Sequence, residues 1–249
     1  MKKIMIIGDS HTRSFALRNN IYPVFLGSGK KINLSNTSLI YLEKQLVKLF
    51  KKVNQDDYQC FIYLGEPNVR YQLMNNWYPH LEDKIKVNVN KSYLSKCASN
   101  YIKIAEKYKL SIITPTSGID ECIIPMKYFT KCLLKNKTTK TFIVDLFSQT
   151  IKSLKIIDEY KNQNYSEDPI HLNSKVCDLF LDILLEQNFI TKDDRMIFFK
   201  KITFNQFDNR DLIKTFNNNK FNTLSIKEDS DNIYFRIIKK IFNNDKSNC

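Results

Sequence analysis

Short apolar runs alternate with segments of helical spacing through the first 190 residues. Residues 4–7, Ile-Met-Ile-Ile, lack the alternation of a half-exposed strand and read as a strand buried on both faces. Comparable runs follow at residues 22–26, 58–64, 110–113 and 141–144. Between them, Leu39, Leu42, Leu46 and Phe50, with Ile40 and Val47 beside them, recur at helical spacing while Lys44, Lys48 and Lys51 face away. Residues 91–108 carry a second such stripe in Tyr93, Leu94, Cys97, Tyr101, Ile104 and Ala105. Shorter helices are expected over 11–19 and around 125–135, and a strongly amphipathic one over roughly 173–187. Strands alternating with helices predict an α/β fold, a three-layer α/β/α sandwich on a five-stranded parallel sheet. The right-handed crossover rule makes the order 2-1-3-4-5, with binding expected at the carboxyl ends of the strands.

The rhythm stops near residue 190. Met196 to Phe199 and Ile233 to Phe242 are apolar-rich, but Asn217-Asn218-Asn219 and the polar end interrupt them. Residues 1–189 are therefore expected to form the main domain, and 190–249 a partly ordered accessory extension. A chain of 249 residues, 43% hydrophobic, can bury a sizeable core.

The formal charge of +13 raises nucleic-acid binding as a function class. Its distribution argues against it, because 12 Lys+Arg stand against 8 Asp+Glu from residue 190 onward and 27 against 18 before it. The excess is diffuse, only 6 of the basic residues are Arg, and no nucleic-acid partner is expected. Six cysteines show no C-x-x-C pair and no histidine at metal-ligand spacing, so neither a metal nor a cofactor is expected. Cys60 and Cys177 lie in apolar segments and read as buried thiols in a reducing compartment. Met1-Lys2-Lys3 precedes only four apolar residues, too few for a signal peptide, and no run reaches membrane-spanning length. A cytoplasmic protein without a membrane partner is the expectation.

Four of the five glycines, Gly8, Gly27, Gly29 and Gly65, lie just after the first three strands. Ser10 follows the first of them at the start of a helix, where it is either an N-cap or a nucleophile at the mouth of the sheet. Far downstream, Asp168-Pro169-Ile170-His171 supplies a base and a carboxylate able to orient it. His11 and His80 are the other histidines. Neighbouring side chains on a helix diverge by about 100°, so His11 is expected to point away from Ser10. His80, in Trp77-Tyr78-Pro79-His80, has no nearby catalytic partner and reads as a surface or loop-packing residue.

Gly8-Asp9-Ser10 and Asp168-x-x-His171 resemble the first and last blocks of the SGNH, or GDSL-type, hydrolase superfamily, and the resemblance spans about residues 4 to 187. It implies the flavodoxin-like SGNH hydrolase fold, with Ser10 as nucleophile, His171 as base and Asp168 completing the triad. It also implies an oxyanion hole made of the Ser10 amide, the amide of Gly27 or Gly29, and the Asn68 side chain. The third block departs from the usual Gly-x-Asn-Asp, since Pro67 occupies the asparagine slot. Gly65, Glu66, Asn68 and Arg70 instead resemble a GDSH-type subset, in which Glu66 and Arg70 form an ion pair that shapes the loop. Asp9 caps the first helix or holds the nucleophile loop, and Arg13 is given a structural role.

The function implied is a serine esterase acting on a small-molecule or glycan ester, with removal of O-acetyl groups from carbohydrate as one form. Two alternatives remain beside it. One is an O-acyltransferase on a glycan using the same triad, and the other a catalytically silent carbohydrate-binding protein on the same fold.

Overall fold

The computed structural model describes residues 2–16, 18–27, 32–74, 90–161 and 171–201, with the side chains of 13 and 71–74 excepted. They belong to one compact unit, Met1–Lys201, and the second unit, Ile202–Cys249, lies outside the described residues.

The first strand, β1 (Lys3–Gly8), is buried from Ile4 onward on both faces, as its unbroken apolar run requires. The short helix expected over 11–19 is a 3-10 helix over Ser10–Phe15, which leads to β2 (Ile21–Phe25). The crossover helix α1 (Asn36–Phe50) brings the chain back to β3 (Tyr58–Tyr63). Its buried side is Leu42, Gln45, Leu46 and Leu49, while Ile40 and Val47 are 63% and 41% exposed. The helix is thus rotated from the face that its apolar residues alone suggested. α2 (Glu66–Met74) occupies the stretch read as a loop after the third strand.

α3 (Lys91–Lys107), β4 (Ser111–Ile113), α4 (Ile123–Asn136) and β5 (Ile143–Val144) continue the alternation. Asp145 caps the single-turn α5 (Leu146–Gln149), its Oδ1 accepting the Ser148 amide at 3.2 Å. A small antiparallel hairpin, β6 (Ile151–Lys152) with β7 (Lys155–Ile156), was not expected. α6 (Lys175–Glu186) and α7 (Lys192–Phe199) complete the described chain.

The five main strands pair in parallel in the order β2-β1-β3-β4-β5. Helices flank the sheet. α3 packs beside α1 and α4, while α6 packs against the 3-10 helix and β5. Phe180 of α6 sets its ring edge-on to Phe15 and Phe61, and all three are fully buried. Burial of such a ring stabilises by about 1.5–3 kcal/mol. These contacts join the first turn, the central strand β3 and α6 around one core. No helix among the described residues is long and apolar enough to cross a membrane.

The compact unit runs past residue 189, because α7 folds back on α6. Thr191 and Asp194 form a reciprocal capping box at its start, Arg195 bonds Asp182 of α6 at 2.5 Å, and Phe198 is buried. Lys201 then bridges antiparallel to Arg18.

Candidate active site

β1 delivers Ser10 to the carboxyl edge of the sheet, and Gly8 allows the approach. A Cβ on Gly8 would stand 2.1 Å from the Tyr63 carbonyl oxygen of β3, closer than any side chain permits. The strand therefore stays tight against β3 until the chain turns away. Asp9 forms that turn. Its carbonyl accepts the Thr12 amide and hydroxyl at 3.1 and 2.9 Å, and its Oδ1 accepts the His11 amide at 3.0 Å. Asp9 is thus the residue that holds the turn around Ser10. Burial raises its carboxyl above the ordinary range against the opposing pull of His11, and its Oδ2 has no hydrogen-bond partner among the described residues.

His171 reaches Ser10 from the segment before α6, with its Nε2 2.9 Å from Ser10 Oγ. That is the geometry a general base needs to take the hydroxyl proton. Two residues, Ser14 and Asn173, hold the histidine segment in place. Ser14, on the 3-10 helix, donates to the Leu172 carbonyl at 2.8 Å, tying the Ser10 turn to the residue after His171. Asn173 donates its side-chain amide to the Glu159 and Lys161 carbonyls at 2.6 and 2.8 Å, and its backbone N–H to the Tyr160 carbonyl at 2.9 Å. Neither residue stood out in the sequence. A polar residue one turn after Ser10 and another two positions after His171 were the available signals. Asp168, expected beyond the imidazole, lies outside the described residues, as do Gly29 and His80.

Gly65 (φ +114°) takes a left-handed conformation suited to glycine and starts α2 at once. This places Glu66, 1% exposed, at the first position of the helix and inside the protein. Arg70 Nε donates to Glu66 Oε1 at 2.8 Å, the ion pair expected from the motif. Ser117 Oγ donates to the same oxygen at 3.3 Å. The second carboxylate oxygen lies 3.1 Å from His11 Nε2. Burial alone would push the Glu66 carboxyl up, but His11 and Arg70 together outweigh it and hold the group at about 2.

His11 does not point clear of the site. Its ring is 4% exposed and lies against His171, with centroids 4.6 Å apart and planes tilted by 41°. His171 thus meets both neighbours, its Nε2 on Ser10 Oγ and its ring beside His11.

Asn68 is buried and fully engaged. Its Oδ1 accepts the Leu34 amide at 2.9 Å, and its Nδ2 donates to Tyr93 Oη at 2.9 Å and to Cys97 Sγ at 3.6 Å. The side chain clamps the segment after β2 to α2 and α3, and donation to an oxyanion would require giving up one of these partners. A cavity of about 220 Å³ lies beside this clamp, lined by Leu34, Ser35, Tyr93, Lys96, Cys97 and Asn100 among others. Its lining includes neither Ser10 nor His171. Gly27 follows β2 at the same edge of the sheet and leads into the segment that Asn68 holds. Among the described residues no group of His, Cys, Asp and Glu is placed to hold a metal ion.

No protein-family model and no curated protein matches the chain. Among solved structures the chain is similar to a lipase/acylhydrolase from Enterococcus faecalis, at 15% identity, over 75% of this chain and 95% of that one, with a TM-score of 0.41.

Proposed function

We propose that the chain is a serine ester hydrolase of SGNH type, in which Ser10 attacks an acyl carbonyl and His171 takes the serine proton and returns it to the leaving alcohol. Water then enters the vacated position, and His171 activates it to release the acid. Asp168 orients the imidazole, and the backbone amides of Ser10 and of Gly27 or Gly29 stabilise the oxyanion. The observation that carries this reading is the 2.9 Å contact between Ser10 Oγ and His171 Nε2 at the carboxyl edge of a parallel sheet. No residue between them in sequence forces that contact, since 161 positions separate the two.

A second reading, a binding protein on the same fold, is favoured by the engagement of Asn68, whose Nδ2 would have to give up Tyr93 or Cys97 to donate to an oxyanion. One experiment separates them. An esterase labels with a fluorophosphonate and turns over p-nitrophenyl acetate, and Ser10→Ala abolishes labelling and lowers turnover by at least ~10³-fold. A folded chain that does neither is a binding protein. O-acetylated carbohydrate is the substrate class to assay next, with acetyl capture by added glycan as the sign of transfer in place of hydrolysis.

A further inference from the structure

Behind Ser10 and His171 lies a buried charged group that the proposed reaction does not use. His11 and Glu66 are 4% and 1% exposed and stand 3.1 Å apart. A carboxylate withdrawn this far from water needs charged and hydrogen-bonding partners to remain ionised, and Glu66 has them in His11, Arg70 and Ser117. The titratable and charged groups around the His11 ring come from several elements. Asp9 lies on the turn below it, Tyr63 of β3 presents its ring edge-on at 6.2 Å, Glu66 and Arg70 belong to α2, and His171 closes the last side at 4.6 Å. Burial opposes a charge on His11, but Glu66 and Asp9 together prevail and raise its value above the ordinary one.

We propose that His11 is a positioning residue for His171, an inference that rests on the reading of His171 as the base. Held by Glu66, it lays a second, charged imidazole against the base and thereby favours the proton-free form of His171 that can activate Ser10. Two cations in ring contact disfavour each other, so the charge on His11 opposes protonation of its neighbour. The contact also limits rotation of the His171 ring away from Ser10. The consequence is esterase activity that persists to lower pH than the base would support alone.

With only three histidines in the chain, a ¹⁵N-histidine NMR titration reads each separately. In the wild type, His11 holds its proton to higher pH than an ordinary imidazole. His11→Gln keeps a donor for Glu66 without the charge or the ring, and His11→Phe keeps a ring without the charge. Both raise the His171 midpoint by about one pH unit and move the acid limb of p-nitrophenyl acetate turnover upward by the same amount. A packing role alone gives another result: turnover falls in the Gln variant and recovers in the Phe variant, with the midpoint moving by less than about 0.3 unit, and this overturns the proposal. A neutral His11 at pH 7 in the wild type overturns it without any variant, which covers the case in which neither substitution folds. A chain with no esterase turnover sinks the proposed function instead, while the two midpoints still decide the coupling.

Discussion

At Asn68 two roles compete for one amide. Its oxygen is the acceptor for the buried Leu34 amide, so Asn68→Ala strands that donor and also frees Tyr93 Oη. An unsatisfied buried donor costs about 1–3 kcal/mol. The expected outcome is a lower urea midpoint with turnover reduced less than about tenfold, whereas a loss of 10²-fold or more in the folded variant would return Asn68 to the oxyanion hole. Glu66 poses a different problem, because its stabilisation depends on pH. Its folded value of about 2 lies below the ordinary 4.5, so the contribution is complete above about pH 4.5 and is lost as pH falls toward 2. His11 is raised, so its contribution is complete below the ordinary 6.5 and is lost as pH rises through the folded value. Both shifts describe one pair and are counted once. Glu66→Gln should cost about 3–5 kcal/mol at pH 6, as breaking a buried pair does, and the gap from wild type in urea unfolding should shrink at pH 3. An equal gap at both pH values would show that Glu66 is not ionised in the folded protein.

Element by element, the strands were legible because a fully buried strand has no polar positions to break its run. Residues 4–7 and 58–64 could be nothing else once glycine ended them. The nucleophile block and the last histidine were legible for a related reason: polar residues placed right after such strands fall at the sheet's carboxyl edge. The hairpin of β6 and β7 was hidden by its turn. Ser153 and Leu154 both take positive φ, 52° and 57°, in a two-residue connection that usually announces itself with Asn-Gly. α1 was placed correctly but turned, because Gln45 is buried and Ile40 exposed, against the order of their hydrophobicity. α2 was missed since it starts at Glu66-Pro67 with few apolar positions. The contact of His11 with His171 was missed because an angle between neighbours says nothing about a ring arriving from 160 residues away. α7 tests whether an element outside the alternating pattern belongs to the core: Phe198, 1% exposed, should cost about 3–5 kcal/mol as Phe198→Ala, read as a lower melting temperature. A change within about 0.5 kcal/mol would make α7 a surface attachment.

For the molecule as a whole, the site is a property of the finished sheet. Ser10 sits on the turn after β1 and His171 just before α6, so both are aligned only when β1, β3 and α6 share one core. Probe labelling and far-UV circular dichroism should therefore be lost in a single urea transition. Labelling lost at clearly lower urea would mean that the histidine segment opens by itself. The same separation gives the chain a history during synthesis. Ser10 is made 161 positions before His171, about 8 to 32 s earlier at ordinary rates of translation. Throughout that interval the nascent chain carries Ser10 without its 2.9 Å partner, so on the proposed reading the pair comes into being only after all five strands of the sheet have been made.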